Sequence, residues 1–204
     1  MRHSFQIAAY GLAAALLLAP VANAQTTQVP AQARAGAYTL NSDHSKITWS
    51  VNHLGFSTYV GQFHGVTGTL RIDPASLATT ELQVTIDTNL VATLTPALDT
   101  HLKSADFLDT ARFPTATFKS TKVVRTGDRT ADVTGDLTLN GQTHPATLEA
   151  TFEGSGRDIL RGGNMVLGFS ARGAIDRTQW GVNDWRAFTG SEVQIVIEAE
   201  FVRS

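Results

Sequence analysis

The 204-residue chain has no cysteine, only two methionines and only six prolines. Without thiols it can form neither a disulfide nor a thiolate metal site, so core burial must supply its stability. It also lacks a basic run, with 16 basic side chains against 18 acidic ones over the whole length. That balance speaks against a nucleic-acid partner and gives no sign of binding to anionic lipid surfaces by charge. Long hydrophobic runs are scarce. The one from Phe5 to Leu18 is short for spanning a bilayer as a helix.

That run has the form of a targeting signal. Arg2 and His3 precede it, Pro20 follows it, and Ala22-Asn23-Ala24 satisfies the small-x-small rule for cleavage, which predicts a signal peptide over residues 1–24, a new N-terminus at Gln25 and a periplasmic location. Its removal takes away Arg2 and no acid, leaving 15 basic side chains against 18 acidic. Residues 25–37 are polar and small, with Pro30 and Gly36, and read as a flexible linker. Residues 38–204 are of a size to bury one core, so a single domain is expected.

Within that domain the dominant signal is alternation with period two. Ile47, Trp49 and Val51 share one face of a first strand that ends near His53. From Gly61 to Asp73 the parity changes between Phe63 and Val66, which predicts a bend or bulge near Gly65. Leu82, Val84 and Ile86 alternate with polar residues over Thr80 to Thr88. Further strands are read at Thr115 to Arg125, Thr130 to Leu139, Thr143 to Glu153, Asn164 to Ile175 and Glu192 to Val202. Asn140-Gly141 is a strong hairpin signal, and Gly154-Ser155-Gly156 with Gly162-Gly163 brackets an expected loop.

The exception is Thr95 to Pro114. Thr95 as N-cap, Pro96 at the first helical position and Leu98 and Leu102 four apart predict one short helix. Phe107, Leu108 and Phe113 follow it in a connection that would ordinarily be polar, so this segment must cover an apolar surface as a lid or plug. About eight long strands joined mostly by hairpin turns, with one helix between the third and fourth, predict an all-β, eight-stranded antiparallel barrel. Ala131, Gly135, Ala146, Ala150, Ala171 and Ala199 fall at inward positions and leave room for a long, thin, apolar guest.

Several short motifs point the same way. They are Asp43-x-Ser45 with Ile47, His53-Leu54-Gly55, Gly61-x-Phe63, His101-Leu102-Lys103-Ser104, Asp106-Phe107-Leu108-Asp109, Phe113-Pro114, Phe118, Gly135 to Gly141, and Arg177 with Gly181. In their order and spacing the chain from Tyr38 onward resembles the YceI-like family of exported, lipocalin-like proteins that bind polyisoprenoids. The resemblance implies a lipocalin-like barrel whose interior holds an isoprenoid tail, such as that of a prenyl quinone or prenyl phosphate, without catalysis and with no required cofactor. The protein would then be a carrier, storage or shielding protein. At Arg177-Thr178-Gln179-Trp180-Gly181 the chain departs from the family pattern of Arg, an acid, Phe and Gly. Headgroup preference therefore does not transfer.

The expected tunnel lining and mouth comprise Trp49, Val51, His53, Phe63, Leu102, Phe107, Phe113, Phe118, Leu137, Phe152, Phe169, Arg177 and Trp180. His53 could hydrogen-bond a quinone carbonyl or a phosphate, or be a satisfied structural histidine. Arg177 could face an anionic headgroup, but pairing with a carboxylate such as Asp106 is the expectation favoured here. Trp180 and Trp185 are read either as a rim that touches a membrane transiently or as a folded-back cluster. His64, His101 and His144 show no metal-ligand spacing and are taken as structural or exposed. Two alternatives to lipid binding stay open: a barrel enzyme acting on a small hydrophobic substrate with His53 as acid or base, and an interaction barrel filled by its own side chains. The sequence leaves the oligomeric state open, a homodimer included.

Overall fold

The computed structural model describes residues 26–204, so the expected signal peptide lies outside the described residues. Eleven strand segments form a single antiparallel sheet: β1 (Gly36–Leu40), β2 (Lys46–His53), β3 (Ser57–Phe63), β4 (Val66–Ile72), β5 (Glu81–Asp87), β6 (Val91–Ala92), β7 (Thr115–Arg125), β8 (Thr130–Leu139), β9 (Gln142–Asp158), β10 (Asn164–Asp176) and β11 (Thr189–Arg203). The sheet closes because β11 pairs with β10 on one side and with both β1 and β2 on the other. Three pairs of segments, β1 with β2, β3 with β4 and β5 with β6, are consecutive halves of single bent staves. Counted by staves this is a closed eight-stranded up-and-down barrel, and its one helix, α1 (Pro96–Lys103), lies between the third and fourth.

The bends have local causes. The parity change between Phe63 and Val66 is absorbed at His64-Gly65, where Gly65 adopts φ +63°. In the first stave a 3₁₀ turn at Ser42–His44 interrupts the ladder, which is stitched to β11 by Asn41 N–H donating to Glu200 O and by Glu200 N–H donating to the buried Ser45 Oγ. In the third, the Asp87 carboxylate accepts from Asn89 N–H and starts the turn at Thr88–Leu90. Asn140 and Gly141 both take positive φ, the geometry of a two-residue hairpin between β8 and β9.

Two expectations fail here. The loop anticipated from Gly154 is instead a continuation of β9 to Asp158, because Gly154 faces Gly168 of β10 and the backbone pairing carries on without side chains to mark it. Nor is the linker free. Thr27 exchanges backbone hydrogen bonds with Ser155, Gln28 Oε1 accepts from Arg129, and a turn at Pro30–Gln32 lays Pro30 and Ala33 across the barrel interior. This strap lies across one end of the barrel and α1 across part of the other. The tightest packing lies toward the strap: Tyr38 and Leu167 are fully buried among Leu40, Val66, Leu70, Phe152 and Phe201, and the Tyr38 hydroxyl donates to Arg34 O.

Candidate ligand cavity

The barrel interior is not filled. A cavity of about 230 Å³ occupies the strap end and one of about 550 Å³ the helix end, and Ile47, Ile86, Leu137, Ile175 and Ile195 line both. The two are thus successive chambers of one apolar interior. Period-two alternation is what builds it, since each stave sends every second residue inward. Ala131, Ala146, Ala150, Ala171 and Ala199 line the strap-end chamber, where their small side chains leave the width open. Gly135 fails to line it for a steric reason: the Phe118 ring lies over it, and a Cβ there would sit 2.5 Å from that ring.

Of the residues expected to line the interior, Phe118, Phe152 and Phe169 are in the strap-end chamber, Trp49, Val51, His53, Phe63, Leu102, Phe107 and Arg177 in the helix-end chamber, and Leu137 in both. Two are elsewhere. Phe113 packs outside on the β8–β9 turn, where a Cβ on Gly141 would meet its ring, with Arg112 over its outer face. Trp180 is 1% exposed and folded under the same turn, its Nε1–H donating to Leu137 O at 2.9 Å and its ring meeting His144 edge-on. The rim reading therefore fails for Trp180, while Trp185 is 47% exposed and does line the helix-end chamber.

Arg177 is the main departure from expectation. Among the described residues it forms no ion pair with a carboxylate. Its guanidinium is buried and spends all five N–H groups on the β10–β11 loop and the first two residues of β11: Nε to Gly190 O, Nη1 to Val182 O and Asp184 O, and Nη2 to Thr189 O and Oγ1. No donor remains for a ligand. Burial lowers its pKa, with Arg186 adding to the effect and Asp176 and Asp184 opposing it. Its carbon stem and charge border the chamber, with the Phe107 ring 6.0 Å from the guanidinium. Asp176 starts the turn that follows; the hydroxyl and then the N–H of Thr178 hold its carboxyl below the usual range.

α1 and the segment after it form the floor of the larger chamber through Leu98, His101, Leu102, Phe107 and Leu108. Thr95 stands at the N-cap with Pro96 following, as expected, yet makes no side-chain cap; instead the Asp99 carboxylate accepts from the N–H and hydroxyl of Thr93 and ties the helix to β6. Asp106 pairs with His101 at 3.2 Å, and the His101 ring is wedged edge-on between Phe107 and Trp185. The His53 side chain makes no hydrogen bond among the described residues, and neither does the buried Trp49 Nε1–H on the same wall, so two polar side-chain groups of this chamber stand unengaged. Trp49 lies flat on Gly61, where a Cβ would be 2.2 Å from its ring. Among the described residues no three metal-ligating side chains come together.

Sequence reasoning missed Tyr59, Leu98, His101, Val182, Trp185 and Phe188 as wall residues. Strand parity could have found Tyr59, and helical spacing Leu98; the loop residues carry no periodic signal.

A family model for the YceI-like domain matches residues 38–201. The chain belongs to the YceI-like family. It is 41% identical over 160 residues to Protein YceI of Escherichia coli O157:H7, which covers 78% of this chain and 82% of that one. Among solved structures, BcnA of Burkholderia cenocepacia superposes with a TM-score of 0.71 at 22% identity, over 79% of this chain and 98% of that one. A domain from Saccharophagus degradans described as polyisoprenoid binding superposes with a TM-score of 0.60 at 13% identity, over 84% and 100%. These likenesses share the YceI-like barrel with the closed sheet described above.

Proposed function

We propose that this protein binds one long-chain isoprenoid lipid, of the prenyl quinone or prenyl phosphate type, inside the barrel and shields its tail from water as a periplasmic carrier, storage or shielding protein. The observation that carries the reading is the pair of contiguous apolar chambers running from α1 to the strap. A narrow interior walled by Ile, Val, Ala and Phe suits a flexible hydrocarbon chain, and each Å² of its surface withdrawn from water contributes roughly 25 cal/mol. The neighbouring fold described as polyisoprenoid binding supports the same guest. In this reading the headgroup lies at the helix end, where His53 offers an imidazole to a carbonyl or phosphate oxygen. We read the role as binding rather than turnover, which the family match and the neighbour described as polyisoprenoid binding support. The signal-like residues 1–24 support export.

The test is native mass spectrometry of the protein purified from its exported compartment, followed by solvent extraction of whatever it carries. The expected result is one prenyl lipid per chain. An empty protein that also refuses added prenyl quinones and prenyl phosphates would sink the proposal.

A further inference from the structure

Large apolar side chains are exposed at one end of the barrel, and they come from three separate turns. Leu54 and Phe56 lie in the β2–β3 turn, Leu94 between β6 and α1, and Trp185 and Phe188 in the β10–β11 loop. Phe56 is 87% exposed and Leu94 98%. The three turns are knit together: Leu54 N–H donates to Phe188 O at 2.9 Å, the Trp185 and Phe188 rings are 5.7 Å apart, and Tyr59 of β3 meets Thr95, beside Leu94, through their hydroxyls at 3.3 Å. Leu54, Trp185 and Phe188 are exposed and also line the larger chamber, so the chamber opens to solvent between them. The apolar rim is continuous with the cavity wall.

The backbone at this rim is unusual. Leu54, Leu94 and Trp185 have φ of 54°, 63° and 61°, and they account for three of the five non-glycine residues with positive φ among the described residues. Large apolar residues rarely adopt that conformation, and at each of these positions it holds the side chain in an exposed site. Charge is nearly absent. Residues 52–58 and 91–98 contain no Asp, Glu, Lys or Arg, and in the loop from 182 to 189 Asp184 and Arg186 offset each other.

From this geometry we infer that the helix end docks onto the surface of a neutral, zwitterionic lipid bilayer, inserting Phe56, Leu94, Trp185 and Phe188 so that a guest passes between membrane and cavity without crossing water. Its purpose rests on the lipid-binding reading above. Single apolar tips on separate turns enter a fluid acyl layer with no complementary pocket required, whereas a second protein surface would need one. Trp and Phe suit the bilayer interface, and a rim without net charge gains nothing from anionic lipid. Among the described residues no helix is long and apolar enough to cross a membrane.

The test compares the mature protein with its Phe56→Ser, Leu94→Ser double variant in flotation with phosphatidylcholine vesicles. Neither position lines a chamber and both are exposed, so the variant keeps the fold and takes up a prenyl quinone added from solvent without vesicles. The wild type is expected to float, with its tryptophan emission shifted to the blue, and the variant's partition coefficient to fall at least about tenfold. Wild-type protein that stays with the soluble fraction, or a variant that floats equally well, overturns the inference. So does a concentration-dependent dimer, seen by sedimentation, that the double variant abolishes while neither protein floats, because the rim would then serve a second copy. Failure of quinone uptake by both proteins would overturn the lipid reading and leave the flotation result to decide docking.

Discussion

Replacing Arg177 separates two accounts of this buried cation on the cavity wall. If its task is to hold the β10–β11 loop, Arg177→Met keeps much of the stem and removes every donor. Val182 is buried, so its carbonyl loses its donor without ready access to water, a cost of about 1–3 kcal/mol. The carbonyls of Asp184, Thr189 and Gly190 are more accessible and recover part of theirs by hydration, and relief of the guanidinium's own desolvation offsets some of the remainder. A net loss of about 3 kcal/mol follows, which for a domain of this size lowers Tm by about 6–12 °C. Since the loop carries Val182, Trp185 and Phe188 of the chamber wall, ligand release should also quicken. Arg177→Lys, with three donors for five acceptors, should fall between. Thermal unfolding by circular dichroism and stopped-flow release of a bound prenyl quinone measure both. A Tm within about 2 °C of wild type together with a large loss of affinity would refute the reasoning, because the guanidinium would then be serving the ligand.

Gly61→Ala places a methyl inside the Trp49 ring, and overpacking of this kind costs about 1–3 kcal/mol; unchanged Tm and tryptophan emission would contradict it. Leu102→Ser with Phe107→Ser strips apolar contact from the floor formed by α1 and its following segment, and the release rate of a bound prenyl lipid should rise roughly tenfold; an unchanged rate would remove the lid role. Asp176 has a pKa depressed in the fold, so its contribution to stability is present above the unfolded carboxylate value of about 3.9 and is lost as pH falls through the lower folded value. The stability gap between wild type and Asp176→Asn should therefore be constant near pH 6–7 and close between pH 4 and the folded value; a gap that widens on acidification would be inconsistent.

Much of the architecture was legible because it rests on local, periodic constraints. Alternation placed Ile47, Trp49, Val51 and Phe152 on the inner face, Asn140-Gly141 fixed one hairpin by its tolerance of positive φ, and Thr95-Pro96 marked the start of the helix. The strand order, the single helix between the third and fourth staves and the inward alanines follow from those patterns. The strap was not legible. Its contact with β9 is made by backbone groups of Thr27 and Ser155, which every residue possesses and no side-chain pattern announces. The continuation of β9 past Gly154 is hidden for the same reason.

Which polar groups remain for a ligand was a matter for tertiary structure alone. Arg177 looked like a headgroup or carboxylate partner because charge suggests charge, but the loop that folds over it and the start of β11 together supply five oxygens whose positions depend on chain closure by β11. Trp180 and Trp185 are five residues apart in one loop, yet one is sealed beneath the β8–β9 turn and the other stands at the cavity mouth. The sequence by itself determined a barrel with an apolar inner face and narrow side chains, since period-two alternation acts residue by residue. Only the folded chain decided where the interior stays empty, because a void is the space left when distant staves and loops fail to meet, and no single stretch of sequence contains both of its walls.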